Sequence, residues 1–447
     1  MTQHPWFGAS SAPAGPPAHP GAVVEATLRD FDGIRPLPEL VPAHPIVLPA
    51  ASYRELVTAA ARLLRLLRET LLRAGDSAEQ RRAALGADPA LHRLLTTRAL
   101  EERYCACMAR PDVIVGPDGP RFMEFNVGCA VGSAVETHLF HHLWRGLYPD
   151  QPRTATTDPD LVQVRDGMLA DIAGELGTDP AVLLIGTMRD FPDATGTRTY
   201  ELQLDALRSR GLDAEFVEPE RFDEALRRRE RFPLGVRTFT MLEWAGHGID
   251  TAPIEAAVRA GFPLIAPDTA YLISNKKVFA WLSAEPDWLG PDDRALVRRY
   301  LPWTRVVADV DTEWRGRRWS LPDLLERHRD RFLLKDAVGM WGTSVVLGQR
   351  TDATEWSRRI ADALARGHAV VQEYVRAQRC SVTFVDPTDE STVEIEIAPV
   401  LGPFIVDGAP AGCLTKFYTH NTHPVVSVTA GGADLNTVIG LPADGAR

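Results

Sequence analysis

Two carboxylates and a carboxamide, Asp112, Glu124 and Asn126, stand close together in a stretch that can bring them into one space. The apolar run Val113-Ile114-Val115 meets the polar turn Gly116-Pro117-Asp118-Gly119, and a second apolar run continues to Phe125. That pattern predicts a β-hairpin. Strand alternation puts Phe122, Glu124 and Asn126 on one face of the second strand and Met123 and Phe125 on the other. Asp112 reaches the same space from the paired strand. An all-oxygen ligand set of this kind suits Mg²⁺, which takes one or two carboxylates together with substrate phosphates. On spacing alone the alternative stays open: an edge hairpin carrying ordinary exposed polar groups.

Further chemistry is concentrated downstream. Lys335 ends the apolar run Arg331–Lys335, just before Asp336-Ala337-Val338-Gly339-Met340-Trp341-Gly342-Thr343-Ser344 and a returning run Val345–Gly348. A strand, a glycine loop and a returning strand can form a flap over a triphosphate, with the lysine paired to a phosphate; a plain hairpin is the other reading. The run Ala369–Val375 closes with Gln372-Glu373-Tyr374-Val375, where backbone groups of a nucleotide site could read an adenine edge, or where polar residues simply cap a core strand. Leu272–Lys277 opens a helix, with Ser274 placed as its N-cap.

The elements that must position these groups alternate. A helix is expected over Tyr53–Arg73, where Leu56, Ala59, Ala60, Leu63, Leu64, Leu67 and Leu71 recur at helical spacing. Residues 23 to 50, rich in proline, are expected to run extended over the surface. From Asp160 to Ile265, helices alternate with the strand-like runs Ala181–Gly186, Ala214–Val217, Leu234–Phe239 and Phe262–Ile265, the pattern of a parallel α/β layer. The turn after Ile185 lacks a G-x-G-x-x-G loop, which weighs against a dinucleotide-binding Rossmann domain.

With 447 residues the chain is expected to form several lobes. Its formal net charge of −11 argues against general nucleic-acid binding, and no apolar run has the length of a membrane span. The opening MTQHPWFGASSAPAGPPAHPG lacks a basic start and an apolar core, so a flexible tail is expected rather than a secretory signal. Five irregularly spaced cysteines fit a reducing cytoplasm. His138, His141, His142, His420 and His423 are expected to be solvated or to pack.

Taken in order, Arg110-x-Asp112, Glu124-x-Asn126, Ser274-Asn275-Lys276, Lys335 with Gly339 to Gly342, Gln372–Val375 and Pro399–Gly402 with Ala411-Gly412 resemble the ATP-grasp fold in circularly permuted form. The similarity is to the synthetase domain of glutathionylspermidine synthase and its bacterial relatives, and it spans roughly residues 103 to 423. The resemblance implies an α/β protein with α+β lobes and an inserted parallel α/β domain. The expected divisions are a tail at 1–22, a helical region with the hairpin at 23–158, the parallel domain at 159–270, nucleotide-binding lobes at 271–430 and a tail at 431–447.

The resemblance also implies roles. Asp112, Glu124 and Asn126 would hold two Mg²⁺ ions. Arg110 and Lys416 would stabilise the transferred phosphoryl group or an acyl phosphate. Lys276 and Lys335 would bind phosphates, and Gln372, Glu373, Tyr374 and Val375 would line the adenine pocket. Gly339, Gly342, Thr343 and Ser344 would close over the triphosphate of ATP. The implied activity joins a small-molecule carboxylate to an amine through an acyl phosphate, releasing ADP, in the cytoplasm. A phosphotransferase and an inactive ATP-binding regulator are the alternatives. Two departures stand out: Lys416 replaces the relatives' arginine, losing a bidentate fork, and the loop with Gly128, Cys129 and Ser133 differs from theirs. That loop is expected to face substrate.

Overall fold

The computed structural model describes residues 6–7, 18–148, 159–191, 195–228, 230–339, 342, 344–420, 425–428 and 432–441. Its centre is a six-stranded sheet. In spatial order the strands are Ile46–Pro49, Asp434–Leu441, Ala409–Phe417, Val400–Val406, Met108–Gly116 and Gly119–Val127. Neighbours run antiparallel except the first pair, which is parallel. The helix Ala50–Leu72 lies on this sheet and buries Leu56, Ala60, Leu63, Leu67 and Leu71. Leucines at this spacing form one stripe, so burial of that stripe orders both the helix and the sheet beneath it.

A four-stranded parallel sheet has the order Asp213–Val217, Ala181–Ile185, Leu234–Arg237, Leu264–Ile265. Of its two inner strands, Ala181–Ile185 reads Ala-Val-Leu-Leu-Ile and both are buried throughout, as strands covered by helices on both faces must be. A four-stranded antiparallel sheet has the order Val346–Leu347, Phe332–Asp336, Ala369–Glu373, Thr304–Val306. Its own core contains Trp314, Leu324, Phe332, Trp356 and Val371. Among the described residues no helix is long and apolar enough to cross a membrane.

The strands and helices anticipated between residues 160 and 265 are present to within a few residues. Elsewhere the chain departs from expectation. Pro20–Phe31 is a helix, not an extended segment; a proline within its first turn presets the backbone for helix, and Val23, Val24 and Phe31 are buried. Asp434–Leu441, expected within a C-terminal tail, is an interior strand of the six-stranded sheet. Its buried Leu435 and Val438 supply the reason. Trp6 and Phe7, expected in a flexible tail, are buried in the main core; the other residues from 1 to 17 lie outside the described set.

Candidate active site

The hairpin Met108–Gly116 and Gly119–Val127 forms the edge of the central sheet. Asp112 pairs directly with Glu124, and Arg110 with Asn126. The register slips between Asp112 and Val113, leaving Met123 as an extra residue. This bulge corrects the simple alternation. Phe122 turns away from Glu124 into the core, where it stacks on Phe125 at 5.7 Å and meets Tyr300 edge-on at 6.0 Å. Met123, Glu124 and Asn126 line a cavity of about 2250 Å³. Bulges often re-aim side chains beside functional sites.

Like charges placed directly opposite on paired strands repel. Here four cations converge on the pair. Lys416 Nζ is 2.7 Å from Asp112 Oδ2, and Arg110 Nε is 3.9 Å from Asp112 Oδ1. Lys276 Nζ and Lys335 Nζ lie 3.6 Å and 3.8 Å from Glu124 Oε2. Burial alone pushes the Glu124 carboxyl up, but Lys276, Lys335, Lys416 and Arg110 together outweigh it and hold it down at about 2. Burial pushes the Lys335 ammonium below the usual lysine range, against the pull of Glu124. The cluster therefore holds more positive than negative charge, and an anion is the occupant that would balance it.

Each cation is held by a separate element. Lys276 begins the helix Lys276–Ser283 and donates to the Gly339 carbonyl at 3.2 Å; its own amide donates to the Ala337 carbonyl at 2.9 Å. The glycine loop is thus tied to that helix. Lys335 donates to the Met123 carbonyl at 3.2 Å, joining the antiparallel sheet to the bulge. Arg110 donates to the Gly132 carbonyl and runs over Gly402, where a Cβ would stand 3.1 Å from its Cδ. Asn275, not Ser274, caps the helix, accepting from the Lys277 amide at 3.0 Å. Ser274 closes the preceding helix instead, and its hydroxyl accepts from the Val127 amide at 2.8 Å, pinning the end of the hairpin.

The donor set fits a magnesium ion. Asp112 and Glu124 are directly opposed carboxylates, and Asn126 adds a carboxamide whose nitrogen donates to the Arg110 carbonyl at 3.2 Å. Asp112 Oδ1 is buried and has no hydrogen-bond partner among the described residues, an oxygen left for a ligand.

The cavity brings together Arg110, Asp112, Glu124, Asn126, Cys129, Ser133, Lys276, Lys335, Gly339, Gly342, Tyr374, Val375 and Lys416. It excludes others that were expected there. Gln372 is buried and donates to the Met123 carbonyl at 3.1 Å and to Thr304 Oγ1 at 3.2 Å. Glu373 pairs with Arg315 at 2.8 Å. Both belong to a strand held between two neighbours, and the chain enters the cavity only at Tyr374. Ser344 sits beside Gly339 behind the lining, and Thr343 lies outside the described residues. Gly128 has φ +120° and packs beneath Tyr271, where a Cβ would stand 3.1 Å from the ring; it shapes the loop without facing the cavity. The Cys129 thiol is drawn down by a hydrogen bond with Cys107, which is correspondingly pushed up.

The far end of the cavity was not anticipated. Asp190, Thr238, Glu243, Arg165 and Tyr271 line it. Asp190 follows the strand Ala181–Ile185 and Glu243 follows Leu234–Arg237. These two strands lie side by side, and the chain leaves them toward opposite edges of the sheet. Ligands of parallel α/β sheets bind in this crevice, and that rule was the available sequence signal. Burial and the charge of Glu243 push the Asp190 carboxyl up to about 6, against the pull of His247 Nε2 at 3.1 Å. Arg237 pairs with Asp268 and lies 3.8 Å over the Tyr271 ring, linking this end to Gly128 and the hairpin.

No protein-family model and no curated protein matches the chain. Solved structures do. A glutathione synthetase-like effector from Globodera pallida, in apo form, is 14% identical over 94% of this chain and 98% of its own, with a TM-score of 0.57. A putative gamma-glutamylcysteine synthetase from Methylobacillus flagellatus KT is 12% identical over 84% of this chain and 87% of its own, with a TM-score of 0.40. D-cycloserine synthetase is 15% identical over 58% of this chain and 91% of its own, with a TM-score of 0.31. The first likeness shows the fold: this chain shares the mixed α/β fold of that glutathione synthetase-like effector.

Proposed function

We propose that the protein is an ATP-dependent carboxylate–amine ligase working through an acyl phosphate, with the circularly permuted arrangement and the affinity to glutathionylspermidine synthase relatives suggested by its motif order. The observation that carries the reading is the convergence of Arg110, Lys276, Lys335 and Lys416 on the opposed Asp112–Glu124 pair at one cavity wall. A buried excess of cations beside two carboxylates and a carboxamide suits a polyphosphate accompanied by metal ions.

In this reading Asp112, Glu124 and Asn126 hold Mg²⁺, which when bound would neutralise the phosphates and draw charge from the bridging oxygens. Lys276 and Lys335 turn from Glu124 to the phosphates. Gly339 and Gly342 let the loop close, while Tyr374 and Val375 meet the base. Arg110 and Lys416 face the carboxylate as it attacks phosphorus and stabilise the charge that spreads over the transferred group. Cys129 and Ser133 border the substrate. The amine enters from the far end, where Asp190 and Glu243 attract an ammonium group and Asp190 is suited to accept its proton. Amino acids or short peptides, including γ-glutamyl compounds, are the substrate class. The free cysteines support a reducing, cytoplasmic setting.

The test incubates the protein with Mg-ATP and pooled amino acids, then identifies nucleotides and the product mass. ADP formed only with both a carboxylate and an amine, with a new amide mass, supports the ligase. AMP and pyrophosphate would overturn the acyl-phosphate route. ADP with a phosphorylated product and no amine requirement would make the protein a phosphotransferase. Nucleotide binding without substrate-stimulated turnover would make it a regulator.

A further inference from the structure

Outside the cavity wall, a second cluster joins two helices. His138 and His142 sit one turn apart on the helix Ala134–Leu147 and so share a face. Asp160 caps the helix Leu161–Glu175, its Oδ1 accepting the Gln163 amide at 3.1 Å. The same carboxylate turns Oδ2 to both rings, 2.7 Å from His138 Nδ1 and 3.2 Å from His142 Nε2. The three candidate ligand atoms lie within 4.8 Å of one another.

We propose that His138, His142 and Asp160 form a zinc site that clamps these two helices together. Two imidazoles match Zn²⁺ better than Mg²⁺, and zinc accepts a carboxylate oxygen beside them. Two histidines four residues apart on one helix face are a recurrent zinc arrangement. A tetrahedral ion with bonds of about 2.0–2.2 Å separates its ligand atoms by roughly 3.4 Å. The two separations from Asp160 Oδ2, 2.7 Å and 3.2 Å, are already close to that. His142, half exposed, is free at its outer side to adjust, whereas Asp160 is nearly fully buried. The capping hydrogen bond from Gln163 fixes the carboxylate as a supporting contact does at a metal centre. In the metal-free state each imidazole donates to Asp160 through the nitrogen that would ligate; on binding, that proton moves to the ring's other nitrogen, or is released to solvent from a doubly protonated ring, and the ion takes the vacated place. Three protein ligands leave a fourth position for water. The helix Ala134–Leu147 also begins at the loop holding Cys129 and Ser133, so the clamp steadies a border of the cavity.

The test uses untagged, chelator-treated protein titrated with Zn²⁺ by calorimetry and with Co²⁺ by visible absorption. The expected result is one equivalent per chain, with a tetrahedral cobalt spectrum and a raised melting temperature. His138→Ala and His142→Ala should each weaken binding roughly tenfold or more. Asp160→Asn, which keeps an N-cap, should weaken it while leaving the helix intact. Glu124→Gln should leave zinc affinity unchanged. Absence of stoichiometric binding, or wild-type affinity in both histidine variants, would overturn the proposal. So would loss of the site in Glu124→Gln alone, which would place the zinc at the hairpin. None of these outcomes depends on whether the protein is a ligase.

Discussion

The two ends of the cavity treat a buried carboxylate in opposite ways. At the hairpin, the charges of Lys276, Lys335, Lys416 and Arg110 outweigh burial and hold the Glu124 carboxyl down at about 2. At the edge of the parallel sheet, Asp190 faces Glu243 and is raised to about 6. Burial pushes both acids in the same direction; the sign of the neighbouring charge decides the outcome. The difference teaches a division of labour. The hairpin end gathers cations around an ionised Glu124 and is suited to receive further negative charge. The sheet end carries an acid able to exchange a proton near neutral pH.

The strongest way to break this comparison is Glu124→Gln, which removes the charge on which Lys276 and Lys335 converge while changing little volume. ATP-dependent turnover should fall by about 10²–10³-fold with the melting curve and circular dichroism spectrum of a folded protein. Turnover near that of the wild type in Mg²⁺ would end the metal assignment. Next in size is Lys335→Met. Losing a charge-assisted bond to phosphate, worth about 1.5–3 kcal/mol, should raise the KM for ATP by roughly one to two orders of magnitude, with the KM for the amine little changed. An equal effect on both substrates would mean that the two ends are not separate.

Asp190→Asn sharpens the other end. A carboxyl raised in the folded state gives a stabilising contribution that is fully present below its unfolded pKa, near 3.9, and lost as pH rises through about 6. The asparagine variant should therefore gain thermal stability relative to the wild type at pH 8 and lose that advantage near pH 4. A gap that does not change with pH would contradict the raised value. The smallest effect belongs to Ser274→Ala. It removes the hydroxyl that accepts from the Val127 amide and should cost about 1 kcal/mol by denaturant unfolding, with a modest loss of turnover. No change in either quantity would mean that Ser274 does not position the hairpin.

Legibility differed between kinds of residue. The hairpin and the parallel α/β layer were readable because turns, alternation and apolar runs are local signals. Gln372 and Glu373 do not line the cavity, and a strand sequence could not say so because it does not name the neighbours that flank it; the pairing on both sides leaves Tyr374 as the first residue of this stretch at the cavity. Phe122 was misassigned because a bulge is a property of two strands, not one. The His138–His142 spacing was visible, but Asp160 belongs to another helix and nothing local joins it to them.

By itself the sequence determined which groups exist to do chemistry and the local elements that carry them: two acids and an amide on a hairpin, a lysine before a glycine loop, apolar strands alternating with helices. Local backbone preference and side-chain periodicity suffice for that. Only the tertiary structure decided that Lys276, Lys335 and Lys416 meet the same acid pair, and that Asp190 and Glu243 stand at the other end of one cavity. Charges act through space over a few ångströms, and residues hundreds of positions apart reach that range only when burial of the shared core brings their elements together.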